Sequence, residues 1–220
     1  MPLNKSKGNM YPWVTHTWNV IKGKCPHDCL YCYMKGYPQP ELHFDESELK
    51  TDLGEGNIIF VGSSCDMWAA AIPAHYIRKT LALCCLFPNN RYLFQSKNPE
   101  GFGGWQFPPL TILGITLESN RCSNVSKAPC PQFRYTPLAT MNYPRMVSIE
   151  PIMDFDLEEM VDWIKQIRPE FVSIGADSKG HNLPEPPADK VRALIKSLKE
   201  ITEVKVKDNL NRLLGQHSRE

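Results

Sequence analysis

An α/β fold with a parallel sheet covered by helices is what this chain predicts, on three observations. Short β-branched or apolar runs recur along the whole length, nearly continuous in hydrophobicity, as strands buried on both faces require. Stretches of helical spacing lie between several of them. The units number about six or seven, short of the eight that close a barrel, so the expected architecture is a partial, laterally open (βα)6–7 barrel.

The strand runs are residues 17–21, 57–62, 91–95, 111–117, 145–149, 171–175 and 203–206. Between them, Ile77, Leu81 and Cys84 form one helical stripe. Leu157, Met160, Val161 and Ile164 form a second, opened by an Asp156-x-x-Glu159 capping box. Val191, Leu194, Ile195 and Leu198 form a third, after the helix-starting Pro186-Pro187. Residues 97–109 and 119–131 read as loops rich in glycine and proline or in small polar residues. Both follow strands, which places them on the C-terminal face of the sheet, where barrel chemistry is built.

A chain of 220 residues and 25.1 kDa suits one domain spanning residues 1–220. Hydrophobic content of 42% and charged content of 22% are those of a soluble globular protein. The apolar runs are shorter than a membrane span and the N-terminus does not read as a signal peptide, so a cytoplasmic protein without a membrane partner is expected. A net charge of +1 gives no global electrostatic argument for nucleic acid. There is a local one, because Lys5, Lys7, Lys22, Lys24 and Lys35 crowd one segment, although a solvated charged face is the commoner explanation of such a run.

That segment carries Cys25-Pro-His-Asp-Cys29-Leu-Tyr-Cys32, a C-x3-C-x2-C run directly after a β-like stretch, and residues 25–32 read as one loop. Three thiolates on one loop can hold three corners of a cubane iron–sulfur cluster and leave the fourth iron without a protein ligand. An open iron accepts a ligand from the substrate side, whereas a closed site mostly moves electrons or holds structure. Zinc needs a fourth ligand, usually from a second knuckle, and none follows; His27 lies too close between two of the cysteines to join them on one zinc. A disulfide framework does not fit a chain without a secretion signal. Cys84 and Cys85 read as helix core beside Leu81 and Leu83. Cys65, Cys122 and Cys130 fall in loops after strands, where an auxiliary metal cluster or a reactive thiol is open to them. The rival to an enzyme is a non-enzymatic zinc- or iron–sulfur-binding module.

The cysteine run resembles the CxxxCxΦC signature of radical SAM enzymes, with Tyr31 as the aromatic residue. Further fragments extend the likeness: Trp18-Asn19, Tyr31-Cys32-Tyr33, Gly62-Ser63-Ser64-Cys65-Asp66, Gln95-Ser96-Lys97, Thr116-Leu117-Glu118 and Ser148-Ile149-Glu150. Together they are similar to small phage-associated three-Cys-motif radical SAM-like proteins. The Cys29-x-Tyr31-Cys32-Tyr33 run is also similar to that of spore photoproduct lyases, longer enzymes that repair DNA; no DNA-reading module is evident here.

The resemblance implies a barrel of the radical SAM type, with a [4Fe–4S] cluster on Cys25, Cys29 and Cys32 and S-adenosylmethionine on the open iron. It implies that Gly62, Ser63 and Ser64 stand where the superfamily holds a Gly-Gly-Glu-like motif for the methionine amino group, here without the glutamate. Lys97 would meet the methionine carboxylate, while Thr116, Glu118 and Glu150 offer polar groups at strand ends, as do Asp66 and Asp177. Cys65 becomes the candidate catalytic thiol, donating a hydrogen atom to a substrate radical. The implied partners are an electron donor such as flavodoxin or ferredoxin, a dedicated partner protein, and a nucleic-acid substrate for repair or modification.

Overall fold

The computed structural model describes residues 3–215. Its strands are β1 (Asn4–Lys5), β2 (His16–Trp18), β3 (Ile21–Lys22), β4 (His43–Phe44), β5 (Ile58–Val61), β6 (Arg91–Ser96), β7 (Thr111–Thr116), β8 (Arg145–Ile149), β9 (Phe171–Ile174) and β10 (Glu203–Val206). Its α-helices are α1 (Ala74–Leu86), α2 (Gln132–Thr140), α3 (Leu157–Ile167), α4 (Ala188–Lys199) and the single turn α5 (Asn211–Leu214). One 8-stranded sheet runs in the order β1-β2-β5-β6-β7-β8-β9-β10, while β3 and β4 pair separately. Apart from the antiparallel β1, every pairing in the large sheet is parallel.

A strand order that follows the chain sends each right-handed crossover to the same face. Helices therefore cover one side only. There Val61, Phe94, Ile115 and Ile149 meet Leu81 of α1, Ile164 of α3 and Leu194 of α4 in the main core. Burying each such side chain stabilises the fold by about 1.5–3 kcal/mol. The sheet is open, with β1 and β10 at its edges rather than paired to each other.

Strand residues of the opposite parity face away from the helices. Leu93, Ile112, Met146 and Phe171 form a second apolar cluster there with Tyr11 and Val14. The segment between β1 and β2 thus lies across the helix-free face. Its Tyr11 hydroxyl donates to Gln95 Oε1 at 2.9 Å or Ser148 Oγ at 2.8 Å. Toward the C-terminal ends that face turns polar: Thr116, Ser148, Ser173 and Lys205 are successive cross-strand partners.

Several expectations change. The run 17–21 divides between β2 and β3, because the chain leaves the large sheet to form the β3–β4 hairpin that carries the cysteine loop. Helix α2 lacks a clean stripe and contains Pro137, so its pattern reads as loop. The Asp156-x-x-Glu159 capping box does not form. Asp156 pairs instead with Arg121, Glu159 accepts from Asn120 Nδ2 at 2.5 Å, and the Asp156 amide donates to Asn120 Oδ1 at 2.9 Å. Cys84 is buried, but Cys85 is exposed, one position round the helix from the buried stripe.

Gly23 ends β3 with φ +95°, and a Cβ there would lie 2.4 Å from Glu41 O and 2.7 Å from Pro40 O. Neither oxygen moves without its backbone. Gly23→Ala is expected to lose about 2–4 kcal/mol from disfavoured φ and overpacking together. Urea unfolding of the variant measures this; a loss under about 1 kcal/mol would show that the strands at the root of the cysteine loop yield easily.

Candidate functional site around the cysteine loop

The loop leaves β3, turns through Asp28 at φ 45°, and closes on its own backbone through Asp28 N to Cys25 O at 3.1 Å and Cys32 N to Cys29 O at 3.2 Å. All three thiols are free; Cys29 is buried, while Cys25 and Cys32 are half-buried. Leu30 points outward at 55% exposure. A second segment grips the loop from outside, with Leu30 N donating to Val125 O at 2.8 Å and Lys127 N to His27 O at 2.7 Å. Asp28 sits between Lys35 and Lys127, each at 3.1 Å.

That gripping segment is closed by a disulfide between Cys122 and Cys130, whose Cα atoms are 5.3 Å apart. The readings left open for these two cysteines, an auxiliary cluster or a reactive thiol, give way to this bridge, and the expectation that the chain carries no disulfide is corrected. A loop folding back over the cysteine run brings them within bridging distance, which spacing alone does not reveal.

The loop after β5 is tied to the same place. Asn19 Oδ1 accepts from Ser64 N at 2.9 Å and Ser63 Oγ at 3.2 Å, and the Tyr33 hydroxyl donates to Ser63 O at 3.1 Å. Gly62 turns at φ +78°, where a Cβ would sit 3.2 Å from Cys65 O. Cys65 is buried and its thiol hydrogen-bonds with Cys25, an interaction that draws Cys25 down to about 6 and pushes Cys65 up. Asp66 accepts from Trp68 N at 3.0 Å, Lys97 N at 2.8 Å and Ser96 Oγ at 2.9 Å. Its Oδ2 also lies 2.9 Å from His27 Nε2, off the axis of a linear hydrogen bond. Burial opposes the Asp66 charge, but these partners outweigh it and hold the carboxyl below its ordinary value. Asp66 therefore joins the β5 loop, the end of β6 and the cysteine loop.

Glu118, beyond the end of β7, is 1% exposed and Arg134 of α2 is 3% exposed. Arg134 Nη1 donates to Glu118 Oε2 at 2.6 Å and lies 3.0 Å from Thr116 O, while Nε donates to Pro129 O at 2.7 Å. The Tyr31 hydroxyl donates to Glu118 Oε1. Lys97 Nζ lies 3.8 Å from the same oxygen and 5.4 Å from the Tyr31 ring centroid. Burial disfavours the Lys97 charge, yet Cys29 and Glu118 outweigh that and raise it. Its ammonium faces Cys29 without a short hydrogen bond of its own among the described residues.

Farther along the sheet, Thr116 Oγ1 accepts from Gln95 Nε2 at 2.9 Å, and Glu150 meets Asn9 Nδ2 and Lys207 Nζ, each at 3.0 Å. Asp177 is held by His181 Nδ1 at 2.6 Å and by the Lys179 amide at 3.1 Å, so it closes its own loop. Beside it lies a cavity of about 530 Å³, with Asp177, Ser178, Glu185 and Arg212 in its wall. Sequence reasoning missed Arg134, Asn9, Tyr11 and Lys207. Lys207 alone carried a signal, standing just past a strand run.

The five lysines do not form one cluster. Lys5 pairs across from His16 at the start of β2, on a strand running away from the cysteines, and Lys7 lies past the end of that strand. Lys22 is neutralised by Asp45 at 2.7 Å and Glu48 at 2.8 Å. Lys24 and Lys35 stay beside the loop, and Lys127 joins them.

Among the described residues, no three His, Cys, Asp or Glu side chains are grouped to hold one metal ion. A cubane cluster makes a different demand, since each thiolate bonds a separate iron. The donor set suits that group: three free thiols on one loop, Cys29 sensing the charges of both others, with a cation facing it.

The open, mostly parallel sheet with helices on one face defines an α/β architecture that solved structures share. Those structures are of spore photoproduct lyase. A cysteine-to-serine variant is 10% identical, with a TM-score of 0.66 over 90% of this chain and 78% of its own. A variant with bound AdoMet and dinucleoside spore photoproduct is 11% identical, with a TM-score of 0.59 over 91% and 66%. A complex with dinucleoside spore photoproduct is 11% identical, with a TM-score of 0.60 over 88% and 64%. The likeness is one of architecture, and the chain spans about two thirds of the latter two proteins. No protein-family model and no curated protein matches the sequence. No helix among the described residues is long and apolar enough to cross a membrane.

Burial raises the Glu118 carboxyl, but Arg134, Lys97 and the Tyr31 hydroxyl more than offset it and leave it below its ordinary value. A folded-state value below the unfolded one, about 4.3, contributes stability above that pH and loses it as pH falls through the folded value. Wild-type unfolding free energy should therefore drop more steeply below about pH 5 than that of Glu118→Gln, which is already about 3 kcal/mol less stable at neutral pH with Arg134 unpaired. Parallel pH profiles would show that Glu118 does not carry this charge.

Proposed function

We propose that the chain is a single-domain radical SAM enzyme with a partial barrel, related to the phage-associated three-Cys-motif proteins. Cys25, Cys29 and Cys32 would hold a [4Fe–4S] cluster, with S-adenosylmethionine on the iron they leave open. One observation carries the reading: three free thiols share one loop at the C-terminal ends of parallel strands, with the Lys97 ammonium, held only at 3.8 Å from Glu118, acting on Cys29. The fold shared with a structure that has AdoMet bound supports it.

When bound, the cluster supplies the electron that cleaves S-adenosylmethionine to methionine and a 5′-deoxyadenosyl radical, which takes hydrogen from the substrate. The chain's residues then have distinct tasks. Lys97 pairs with the methionine carboxylate, since its donors are otherwise unspent. The turn at Gly62, Ser63 and Ser64, held by Asn19, presents backbone carbonyls to the amino group. Thr116 and Glu150 line the polar face farther along the sheet. Cys65, buried beside Cys25, is the hydrogen-atom donor.

A nucleic-acid substrate, for repair or modification, suits the outer surface. Tyr33 and Tyr37 are 44% and 60% exposed near Lys24, Lys35 and Lys127, which combines base-stacking faces with phosphate-binding charge. The neighbours bound to a dinucleoside spore photoproduct support the same class. An electron donor of the flavodoxin or ferredoxin kind and a dedicated partner protein complete the reading, in the cytoplasm.

Anaerobic reconstitution should give brown protein with about four irons per chain that releases 5′-deoxyadenosine with dithionite and S-adenosylmethionine. Changing Cys25, Cys29 or Cys32 to Ala should abolish both. Colourless wild-type protein that binds one zinc and yields no 5′-deoxyadenosine would overturn the reading.

Lys97→Ala should keep the iron and weaken S-adenosylmethionine binding by about 1.5–3 kcal/mol, tenfold or more. An unchanged titration isotherm removes Lys97 from the site. If Lys24, Lys35 and Lys127 each meet a phosphate, single-stranded oligomer binding should follow salt with a log–log slope near about −2. Reversing all three charges should abolish that slope, and no binding at low salt would count against nucleic acid.

A further inference from the structure

Arg134 had no sequence signal and plays no part in the chemistry proposed above, yet it is among the most connected side chains near the cysteines. Its guanidinium ties α2 to the end of β7 through Thr116 O at 3.0 Å and to the disulfide-closed loop through Pro129 O at 2.7 Å. Through Glu118 at 2.6 Å it also reaches the Tyr31 hydroxyl, inside the cysteine loop itself. Glu118 is 1% exposed and both its oxygens are engaged by the chain, Oε2 by Arg134 and Oε1 by Tyr31 with Lys97 alongside. That allocation is more than a surface ion pair, because both charged groups are almost wholly buried and every contact is directional.

We propose that Arg134 is a positioning residue: through Glu118 it fixes Tyr31, and with Tyr31 the seating of Cys29 and Cys32, while biasing the charge felt there. The inference rests on the radical SAM reading only for what the thiols hold. The seating of the loop is a property of the metal-free chain. Two features make Arg134 the controlling partner. Its fork makes three contacts on two segments, the end of β7 and the disulfide-closed loop, which Lys cannot reproduce. It also offsets the charge of Glu118, which acts on Cys29 against that of Lys97. Less negative charge beside a cluster favours its more negative, reduced form.

The test has two arms. In metal-free protein, hydrogen exchange of peptides covering residues 25–33 should rise in Arg134→Gln, while peptides from α3 and α4 stay as protected as in wild type. Arg134→Lys, which keeps the charge but not the fork, should give intermediate exchange. Unchanged exchange in Arg134→Gln overturns the proposal whatever the chain binds. In reconstituted protein, Arg134→Gln should lower the midpoint potential, Glu118→Gln should raise it, and Arg134→Lys should stay near wild type. A residue that merely loosens the fold would move both neutral variants the same way, and that outcome also overturns the assignment of charge. If wild type assembles no cluster, the functional reading fails on its own, and the exchange arm still decides whether Arg134 seats the loop.

Discussion

A carboxylate that has lost its water is tolerated only where cations and donors take the water's place. Glu118 meets that demand, and much of the site follows from how it does so. Arg134 comes from α2, Tyr31 from the cysteine loop and Lys97 from the end of β6, so satisfying one buried charge draws three distant parts of the chain to a point. Replacing the group with well-packed hydrophobic residues is often neutral or stabilising in other buried pairs, so stability alone does not explain its presence. Directionality does: an apolar cluster would hold the loop near the sheet but leave its height and rotation free.

Asp66 does for one side of the loop what Glu118 does for the other. It gathers two backbone amides, the Ser96 hydroxyl and His27. The two carboxylates stand beyond the ends of β5 and β7, one strand apart, and each reaches the cysteine loop. A loop seated by two independent anchors resists rotation about either one, which suits a group of ligands that must present a fixed geometry. Outside, the hydrogen bonds from residues 125 and 127 complete the enclosure and leave Leu30 facing outward.

Legibility in the sequence tracked the range of the interactions. The cysteine run was readable because its chemistry lies within eight consecutive residues. Parallel strands were readable because burial on both faces imposes continuous hydrophobicity. Lys97 and Glu118 were readable as strand-end positions, although the carboxylate serves the chain before any ligand. Local patterns misled where a distant partner outbid a near one: Arg121 and Asn120 took Asp156 and Glu159 away from their cap. The lysine cluster dissolved because β1 runs antiparallel, placing Lys5 opposite the start of β2, and because Lys22 is spent on Asp45 and Glu48. Arg134, Tyr11 and Asn9 were invisible because nothing near them in the sequence marks the partners they find in space.

The segment lying across the helix-free face has a bearing on how the molecule comes into being. Tyr11 bonds to Ser148, 137 residues away, and Asn9 accepts from Lys207, 198 residues away. Residues that emerge first from the ribosome thus find their partners only when β8 and β10 have been made. Helix-covered strands can assemble in order, each on its predecessor, with short loops to close. The polar floor beneath the cysteines cannot, because loop-closure entropy must be met before such remote contacts stabilise anything. The growing chain therefore carries the segment across its helix-free face without its polar ties, the Tyr11–Ser148 and Lys207–Asn9 bonds, until β8 and β10 have been made.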